Sequence, residues 1–178
     1  MNGVDTKKNR IDNGKINESR LWCGMDQIDQ KICKLLQQSG RMSNAEIANA
    51  VGVPVSTAND RVRRLVANGT ITGWHVHLAP DAVGADLCCF VMIDMAYQGE
   101  AEACAVLVGL DEVQELHHIS GAHSYLMKVR LRNTKELQAF MSEKVKPLPA
   151  VQRTETIFSM DALKESSVLR IAQDAGST

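Results

Sequence analysis

Residues 52–65 read GVPVSTANDRVRRL, and this stretch decides how the first half of the chain folds. Apolar side chains recur here and one residue beyond at the spacing of a single helix face: Ala58, Val62, Leu65 and Val66. Three arginines share the same two turns: Arg61, Arg63 and Arg64. The stretch therefore predicts a helix with one buried stripe and one positively charged face.

Two shorter helices are predicted before this one. Apolar residues at helical spacing mark the first, which begins near Asp26 and ends at the Ser39-Gly40 pair. Ser43 and Glu46 form a capping-box pattern that opens the second, and Gly52 ends it. Three short helices with a glycine-containing turn are the layout of a helix-turn-helix. The alternating residues 71–78, ITGWHVHL, predict a strand, so the third helix runs into a wing.

The second half of the chain changes period several times. From residue 87 onward, strand-like and helix-like segments follow one another in the order β-α-β-β-α-β. This order predicts a ferredoxin-like αβ sandwich, so the fold class is α+β with an N-terminal winged helix-turn-helix. Helices then cover one face of the sheet only, and we expect a second copy to cover the other.

Charge is distributed unevenly along the chain. Residues 1–24 and 25–78 each carry a formal charge of +2, whereas residues 79–178 carry −5. A basic first half favours a nucleic-acid partner there, although an excess this small is weak support by itself. The alternative is a solvated helix face on which Asp60 pairs with Arg64, four residues on.

Double-stranded DNA is the partner that this helix favours. Small polar side chains and free N–H groups at the start of a recognition helix approach base edges, and later arginines meet phosphates. The candidate DNA-binding residues are Ser43, Ser56, Thr57, Asn59, Asp60, Arg61, Arg63 and Arg64.

Several other classes of function lack support in the sequence. The five cysteines are an odd number without CxxC spacing, which is typical of reduced thiols in a cytoplasmic protein. Neither a signal peptide nor a membrane span is evident. The five histidines do not form an obvious ligand set, so we predict neither a metal site nor a cofactor. Catalytic motifs are also lacking, and we do not expect an enzyme.

Three ordered motifs carry a family resemblance: residues 26–53, residues 61–73 (RVRRLVANGTITG) and residues 120–130 (SGAHSYLMKVR). Together they resemble the leucine-responsive regulatory protein/AsnC family, the feast/famine transcription regulators. The resemblance implies a winged helix-turn-helix joined by a hinge strand to a dimerising αβ sandwich, with further assembly to a tetramer or octamer. It also implies DNA binding near promoters and an amino-acid effector held between dimers.

The resemblance assigns a role to each predicted part of the chain. Residues 1–24 are predicted to be a disordered extension and residues 25–73 the DNA-binding domain. Residues 74–86 are the hinge strand and linker, and residues 87–178 the effector-binding and oligomerisation domain.

Two positions depart from the family pattern. Pro54 stands where the family often has a capping serine, which removes one possible phosphate contact. The implied effector loop comprises Ser120, Gly121, Ala122, His123, Ser124 and Tyr125, whereas the family commonly reads G-D-x-D or G-x-x-D there. Ala122 and Ser124 cannot pair with an ammonium group. The sequence therefore leaves open a changed ligand preference or a loss of effector response.

Two alternative functions stay open at this point. Siroheme decarboxylases resemble this family in both halves and use histidines of the sheet domain on a tetrapyrrole. A regulator that ignores metabolites and acts as an architectural DNA-binding protein is the other. The three arginines and the Ser-Thr start of the third helix favour DNA binding over the enzyme.

Overall fold

The computed structural model describes residues 25–171, so the predicted disordered extension lies outside the described residues. The chain divides into two compact units. Among the described residues, the helical unit contains residues 25–75 and 167–171, and the sheet unit is Val76–Ser166. The predicted division lies at residues 73 and 86, and it places residues 167–171 with the sheet. These residues join the helical unit instead, because Ile171 packs against that unit's core.

The described part of the helical unit contains three helices: α1 (Gln27–Gln38), α2 (Asn44–Val51) and α3 (Val55–Ala67). The predicted capping box is present, since the Ser43 side chain accepts from the Glu46 backbone while the Glu46 carboxylate accepts from the Ser43 backbone. The first helix starts at an Asp26 cap and ends at Ser39. The apolar stripes of the helices meet in one small core of buried residues: Ile32, Cys33, Ile47, Ala48, Ala58 and Leu65.

The segment predicted as a wing and hinge strand is not a strand in this chain. Residues 73–79 have no regular secondary structure, and Trp74, Val76 and Leu78 are all exposed. Apolar residues do alternate along the segment, but a strand also needs a neighbour for its N–H and C=O groups. A short 3₁₀ turn, Asp81–Val83, follows and leads to the first strand of the sheet.

The sheet unit has the predicted β-α-β-β-α-β order. Its elements are β1 (Leu87–Met95), α4 (Glu100–Leu107), β2 (Val113–His118), β3 (Tyr125–Leu131), α5 (Thr134–Phe140) and β4 (Val151–Phe158), with a π-helical turn (Met141–Val145) after α5. The four strands lie in the order β2-β3-β1-β4, and every neighbouring pair is antiparallel.

The two faces of this sheet differ in what covers them. Buried side chains of β1 and β3, such as Val91, Ile93 and Met127, pack with the buried residues of α4 and α5 in one core. The alternate residues form what we call the open face. Its centre is apolar, because the strand register places Phe90 beside Ile157 and Met92 beside Leu126.

Basic residues of β3 also lie on the open face. β3 is an inner strand of the sheet, so Lys128 and Arg130 do not lie at an exposed sheet edge. Glu165 from the C-terminal part of the unit accepts hydrogen bonds from Lys128 and, at 2.6 Å, from Arg130. The Lys128 bond in particular lowers the pKa of the Glu165 carboxyl. Lys128 and Arg130 therefore have a partner within the chain.

The thiols of the described residues are free. Cys33, Cys88 and Cys89 are buried, and Cys104 is half-buried. Burial raises the pKa of the Cys33 and Cys89 thiols, which disfavours the reactive thiolate. These cysteines act as small apolar side chains.

Residues 25–171 contain neither a helix suited to cross a membrane nor a metal-binding cluster. No helix there has both the length and the apolar character needed to cross a bilayer. Likewise, the part of the chain that the structure describes contains no group of three His, Cys, Asp or Glu side chains arranged to hold a metal ion.

Candidate DNA interface and effector loop

The outward face of α3 carries the residues predicted to meet DNA. Ser56 and Asp60 are exposed and Thr57 is half-buried, while Ala58 and Leu65 on the opposite face are fully buried. The side chain of Arg63 is 77% exposed, and its ion pair with Asp60 spans a long 3.9 Å. An exposed pair of this kind is worth little, so it leaves Arg63 available to a phosphate.

The start of α3 is open to a ligand. Pro54 is the N-cap residue, in an extended conformation, and it supplies no side-chain hydrogen bond to the first turn. N–H groups at the start of a helix point along its axis, where they favour an anion. Pro54 therefore offers no side-chain contact to a phosphate, and its side chain does not cap the backbone N–H groups of the first turn.

Two carboxylates at the start of α1 bind Arg61 and Arg64 within the helical unit. Arg61 donates to Asp26 at 2.5 Å and to Asp29 at 2.9 Å, and Arg64 donates to Asp29 at 2.5 Å. The hydrogen bond from Arg61 lowers the pKa of the Asp26 carboxyl. Asp29 is almost fully buried. Its two arginine partners offset the energetic cost of removing its carboxylate from water.

These contacts distinguish arginines that pair within the helical unit from one that stays exposed. The sequence pattern does not show this difference. The Arg61 side chain is only 21% exposed and joins α3 to α1. Arg64 pairs with Asp29, so the Asp60–Arg64 pair of the alternative interpretation does not form; Asp60 meets Arg63 instead. Arg63 is thus the arginine of α3 that the fold leaves most available to DNA.

Two other predicted DNA contacts also take part in the fold. The Ser43 hydroxyl donates to Glu46 at 2.7 Å, and Asn44 of α2 donates to the Asn59 side chain of α3 at 3.0 Å. The first contact fixes the start of α2, and the second fixes the position of α2 against α3. The binding of Ser43 and Asn59 to DNA stays a prediction.

The predicted effector loop is a tight turn between β2 and β3. The Ile119 N–H donates to the Ser124 carbonyl at 2.9 Å, and Gly121 at the tip has φ 131°, a conformation that favours glycine. Ser120, Gly121 and Ala122 are exposed at the tip, and His123 and Ser124 are half-buried. The loop is therefore closed on itself and presents its tip to solvent.

His123 lies between two carboxylates that come from other strands. Its Nδ1 is 3.1 Å from an oxygen of Asp94 on β1, and its Nε2 is 3.7 Å from Glu155 on β4. The loop lacks the family's acidic residue, yet the fold places two acidic residues beside it. Sequence reasoning missed both, because each lies about 30 residues from the loop and no local spacing links it to the loop.

Tyr125 belongs to the other face of the sheet. It is buried, its hydroxyl donates to Glu100 at 3.1 Å, and its ring stacks on His118 with centroids 4.9 Å apart. Burial is the main cause that raises the pKa of this phenol. Tyr125 therefore anchors the loop to the helix side, away from the exposed tip.

The three histidines at the ends of β2 and β3 have different partners. His117 is on the open face and meets Glu115 at 3.1 Å, whereas His118 stacks on Tyr125, whose side chain belongs to the helix side. His123 is engaged with Asp94 and Glu155. His118 thus lies on the opposite face of the sheet from His117.

A three-helix unit with an exposed recognition helix, joined to a β-α-β-β-α-β sheet unit, defines a DNA-binding transcriptional regulator with a ligand-binding domain. Comparisons with known proteins agree. A family model described as the Lrp/AsnC ligand binding domain matches residues 88–169, and one described as winged helix-turn-helix DNA-binding matches residues 25–72. The chain belongs to the Lrp/AsnC family.

Individual relatives support this assignment. The leucine-responsive regulatory protein of Salmonella typhimurium is 35% identical over 150 residues, which cover 83% of this chain and 92% of that protein. The structure of E. coli AsnC superimposes with a TM-score of 0.72 at 29% identity, over 84% of this chain and 98% of that one. A feast or famine regulatory protein from M. tuberculosis, complexed with L-methionine, has a TM-score of 0.76 at 27% identity, over 82% and 99%.

Proposed function

We propose that this regulator binds double-stranded DNA as a symmetric dimer, with α3 of each copy in the major groove. Half-sites one helical turn or a multiple apart would match the two helices. The observation that carries the proposal is the outward face of α3, where Ser56 and the exposed Arg63 lie on the side opposite the buried Ala58 and Leu65. Phosphate contacts supply most of the affinity in this mode of binding.

Replacing Arg63 with alanine should weaken DNA binding without changing the fold or the assembly. Fluorescence anisotropy against the DNA upstream of the gene and against a scrambled duplex, at several salt concentrations, measures this. The dependence of log affinity on log salt should become shallower by about 0.9 for each phosphate that the protein no longer neutralises.

Arg132→Ala is the matched control, because this arginine is 71% exposed but lies in the sheet unit. It should leave both affinity and salt dependence unchanged. If Arg63→Ala binds both duplexes as the unchanged protein does, the outward face of α3 is not the DNA interface. Failure of the unchanged protein to bind either duplex at low salt would reject DNA binding altogether.

The open face of the sheet supports the dimer. Phe90, Met92, Leu126 and Ile157 lie together at its centre, and Ile157 is 44% exposed in the single chain. Apolar surface of this kind is stabilised by a second copy, and a two-fold axis lets the same patch serve both copies. Further assembly to a tetramer or octamer follows from the family resemblance alone.

An amino acid or a related metabolite is the proposed effector, bound at the loop formed by residues 120–125. A relative in complex with L-methionine supports this class of ligand. An ammonium group needs a carboxylate partner, and Asp94 and Glu155 are the carboxylates that the fold brings to His123. The effector would act by binding one assembly state more tightly than another.

Replacing His123 with alanine should change the response to effectors while leaving DNA binding without effector unchanged. The imidazole holds the loop against Asp94, so its removal alters the position of the loop and the charge that a ligand meets. Thermal shift and light scattering across the twenty amino acids, with L-methionine first, measure the response. His117→Ala is the control, because His117 is exposed on the same sheet and its partner is Glu115.

An identical response in His123→Ala and in the unchanged protein would place the effector elsewhere. No response of the unchanged protein to any amino acid would favour the effector-independent architectural protein.

We do not propose an enzyme. Several relatives are named transcriptional regulators, and His117, His118 and His123 each have a different partner. A visible absorption band in the purified protein, or one formed on adding a tetrapyrrole, would contradict this view and revive the decarboxylase alternative.

A further inference from the structure

The chain passes between its two units twice, through what we call the first and second connections. The first connection, residues 76–86, leads from the helical unit to β1, and the second, residues 159–166, leads from β4 to residues 167–171 of the helical unit. Both meet the sheet at one end, because β1 begins where β4 ends and the Ser159 N–H donates to the Cys88 carbonyl at 3.0 Å. The two connections therefore leave the same end of the sheet.

The guanidinium of Arg130 bonds to both connections. Its Nη1 donates to the Ala85 carbonyl at 3.3 Å, and its Nη2 donates to the Glu165 carboxylate at 2.6 Å. These partners lie 45 residues before Arg130 and 35 residues after it. A planar guanidinium carries several N–H donors in a fixed arrangement, so it holds two acceptors at a set separation. Arg130 thus joins the end of the first connection to the second.

Burial distinguishes these bonds from pairs on the protein surface. Only 11% of the Arg130 side chain is exposed, and a charged hydrogen bond in such a place is screened little by salt. Lys128 of the same strand is equally buried and also donates to Glu165, but its other carboxylate partner is Glu115 of β2. Lys128 therefore holds the second connection, whereas Arg130 holds both.

The first connection is folded where Arg130 holds it. Ala85 closes a turn by donating its N–H to the Pro80 carbonyl at 2.8 Å, and the 3₁₀ turn Asp81–Val83 lies inside it. Arg130 bonds to the carbonyl of the same Ala85, so it fixes the closed turn to the sheet. Opening this turn at residues 80–84 would add at most roughly 17 Å of reach, at about 3.4 Å for each residue.

Reach matters to a dimer that binds two half-sites on one duplex. Half-sites face the same side of the DNA when their centres are about 10 base pairs apart, or a multiple of this distance. Five added base pairs move one half-site by roughly 17 Å and turn it to the opposite side. That displacement is as large as the reach that the closed turn withholds. Connections fixed to the sheet therefore restrict the spacing that a dimer accepts.

We propose that Arg130 is a positioning residue for DNA binding, which narrows the range of half-site spacings by holding both connections at one end of the sheet. It acts through the connections and does not itself touch DNA. The effect on spacing rests on the function proposed above, whereas the link between the two connections does not. Each of these two statements has its own measurement.

Amide hydrogen exchange tests the link without DNA. The Ala85 N–H reports on the turn, and residues 159–166 report on the second connection. Arg130→Met should speed exchange at both by about fivefold, the change that one net hydrogen bond predicts, whereas Lys128→Met should do so only at the second. Arg130→Lys should free the turn alone, because a single ammonium stays with the carboxylate, the stronger acceptor. All three variants should keep the protection of β1–β4. Unchanged exchange at Ala85 in both Arg130 variants would overturn the link.

Fluorescence anisotropy tests the effect on spacing. The probes are the upstream duplex and the same duplex with five base pairs inserted between the half-sites that footprinting identifies. The insertion should weaken binding at least about tenfold for the unchanged protein and for Lys128→Met, but about threefold or less for Arg130→Lys. Light scattering should give all three the same mass.

An equal loss of affinity in Arg130→Lys and in the unchanged protein would overturn the role of Arg130 in spacing. If the unchanged protein binds neither duplex, DNA binding and the spacing role are both rejected. The exchange result at Ala85 then still decides whether Arg130 links the two connections.

Discussion

Leu65→Ala should abolish DNA binding and leave the assembly of the sheet unit intact. Leu65 is 1% exposed in the small core of the helical unit, beside Ile32 and Ile47. Deleting a buried leucine side chain costs about 2–5 kcal/mol, from the burial that is forfeited and from the cavity left behind. A unit this small has a total stability on the order of 3–5 kcal/mol, so most molecules would have an unfolded DNA-binding unit.

Circular dichroism should show a loss of helix, and anisotropy a loss of binding to the upstream duplex. Light scattering should report the same assembly as the unchanged protein. Val66→Ala is the control, since this neighbour on the same helix is 45% exposed. Specific DNA binding by Leu65→Ala at unchanged affinity would show that the sheet unit, rather than α3, carries the DNA interface.

Ile157→Asp should convert the dimer to a monomer. Ile157 lies on the open face beside Phe90, at the centre of the proposed contact with the second copy. An aspartate there must lose its hydration when the copies meet, and burying an unpaired charge costs several kcal/mol. Its exposure in the single chain means that the monomer itself should remain folded.

Sedimentation or light scattering measures the mass, and anisotropy measures the accompanying loss of DNA affinity, since a monomer presents one recognition helix. Val106→Asp is matched to it, because Val106 is 46% exposed and lies on α4, in the layer behind the sheet. The opposite result, in which Ile157→Asp stays dimeric and Val106→Asp dissociates, would show that the helices rather than the open face form the dimer interface.

Local patterns predicted the elements of this fold well. The capping box at Ser43 and Glu46, the helical stripe through Ala58 and Leu65, and the alternation along β3 all depend on residues close in sequence. The prediction of a wing strand was wrong, because strand formation does not depend on local pattern alone. Alternation shows which side chains suit a strand, but pairing depends on a second segment that the pattern does not contain.

The candidate sites were predicted less completely, because their charges pair over long separations. Asp29 and Arg61 are 32 residues apart, Asp94 and His123 are 29 apart, and Lys128 and Glu165 are 37 apart. Nothing in the neighbourhood of Arg61 marks it as a structural residue while Arg63 stays exposed. Only the packing of α3 on α1 separates the two roles.

The buried carboxylate of Asp29 couples three positions of the chain. It is almost fully enclosed and is compensated by Arg61 and Arg64, so none of the three is freely replaceable alone. Among relatives, an apolar residue at position 29 should therefore accompany the loss of at least one arginine at 61 or 64. Position 63, outside this triad, should instead vary with the DNA sequence that each relative recognises.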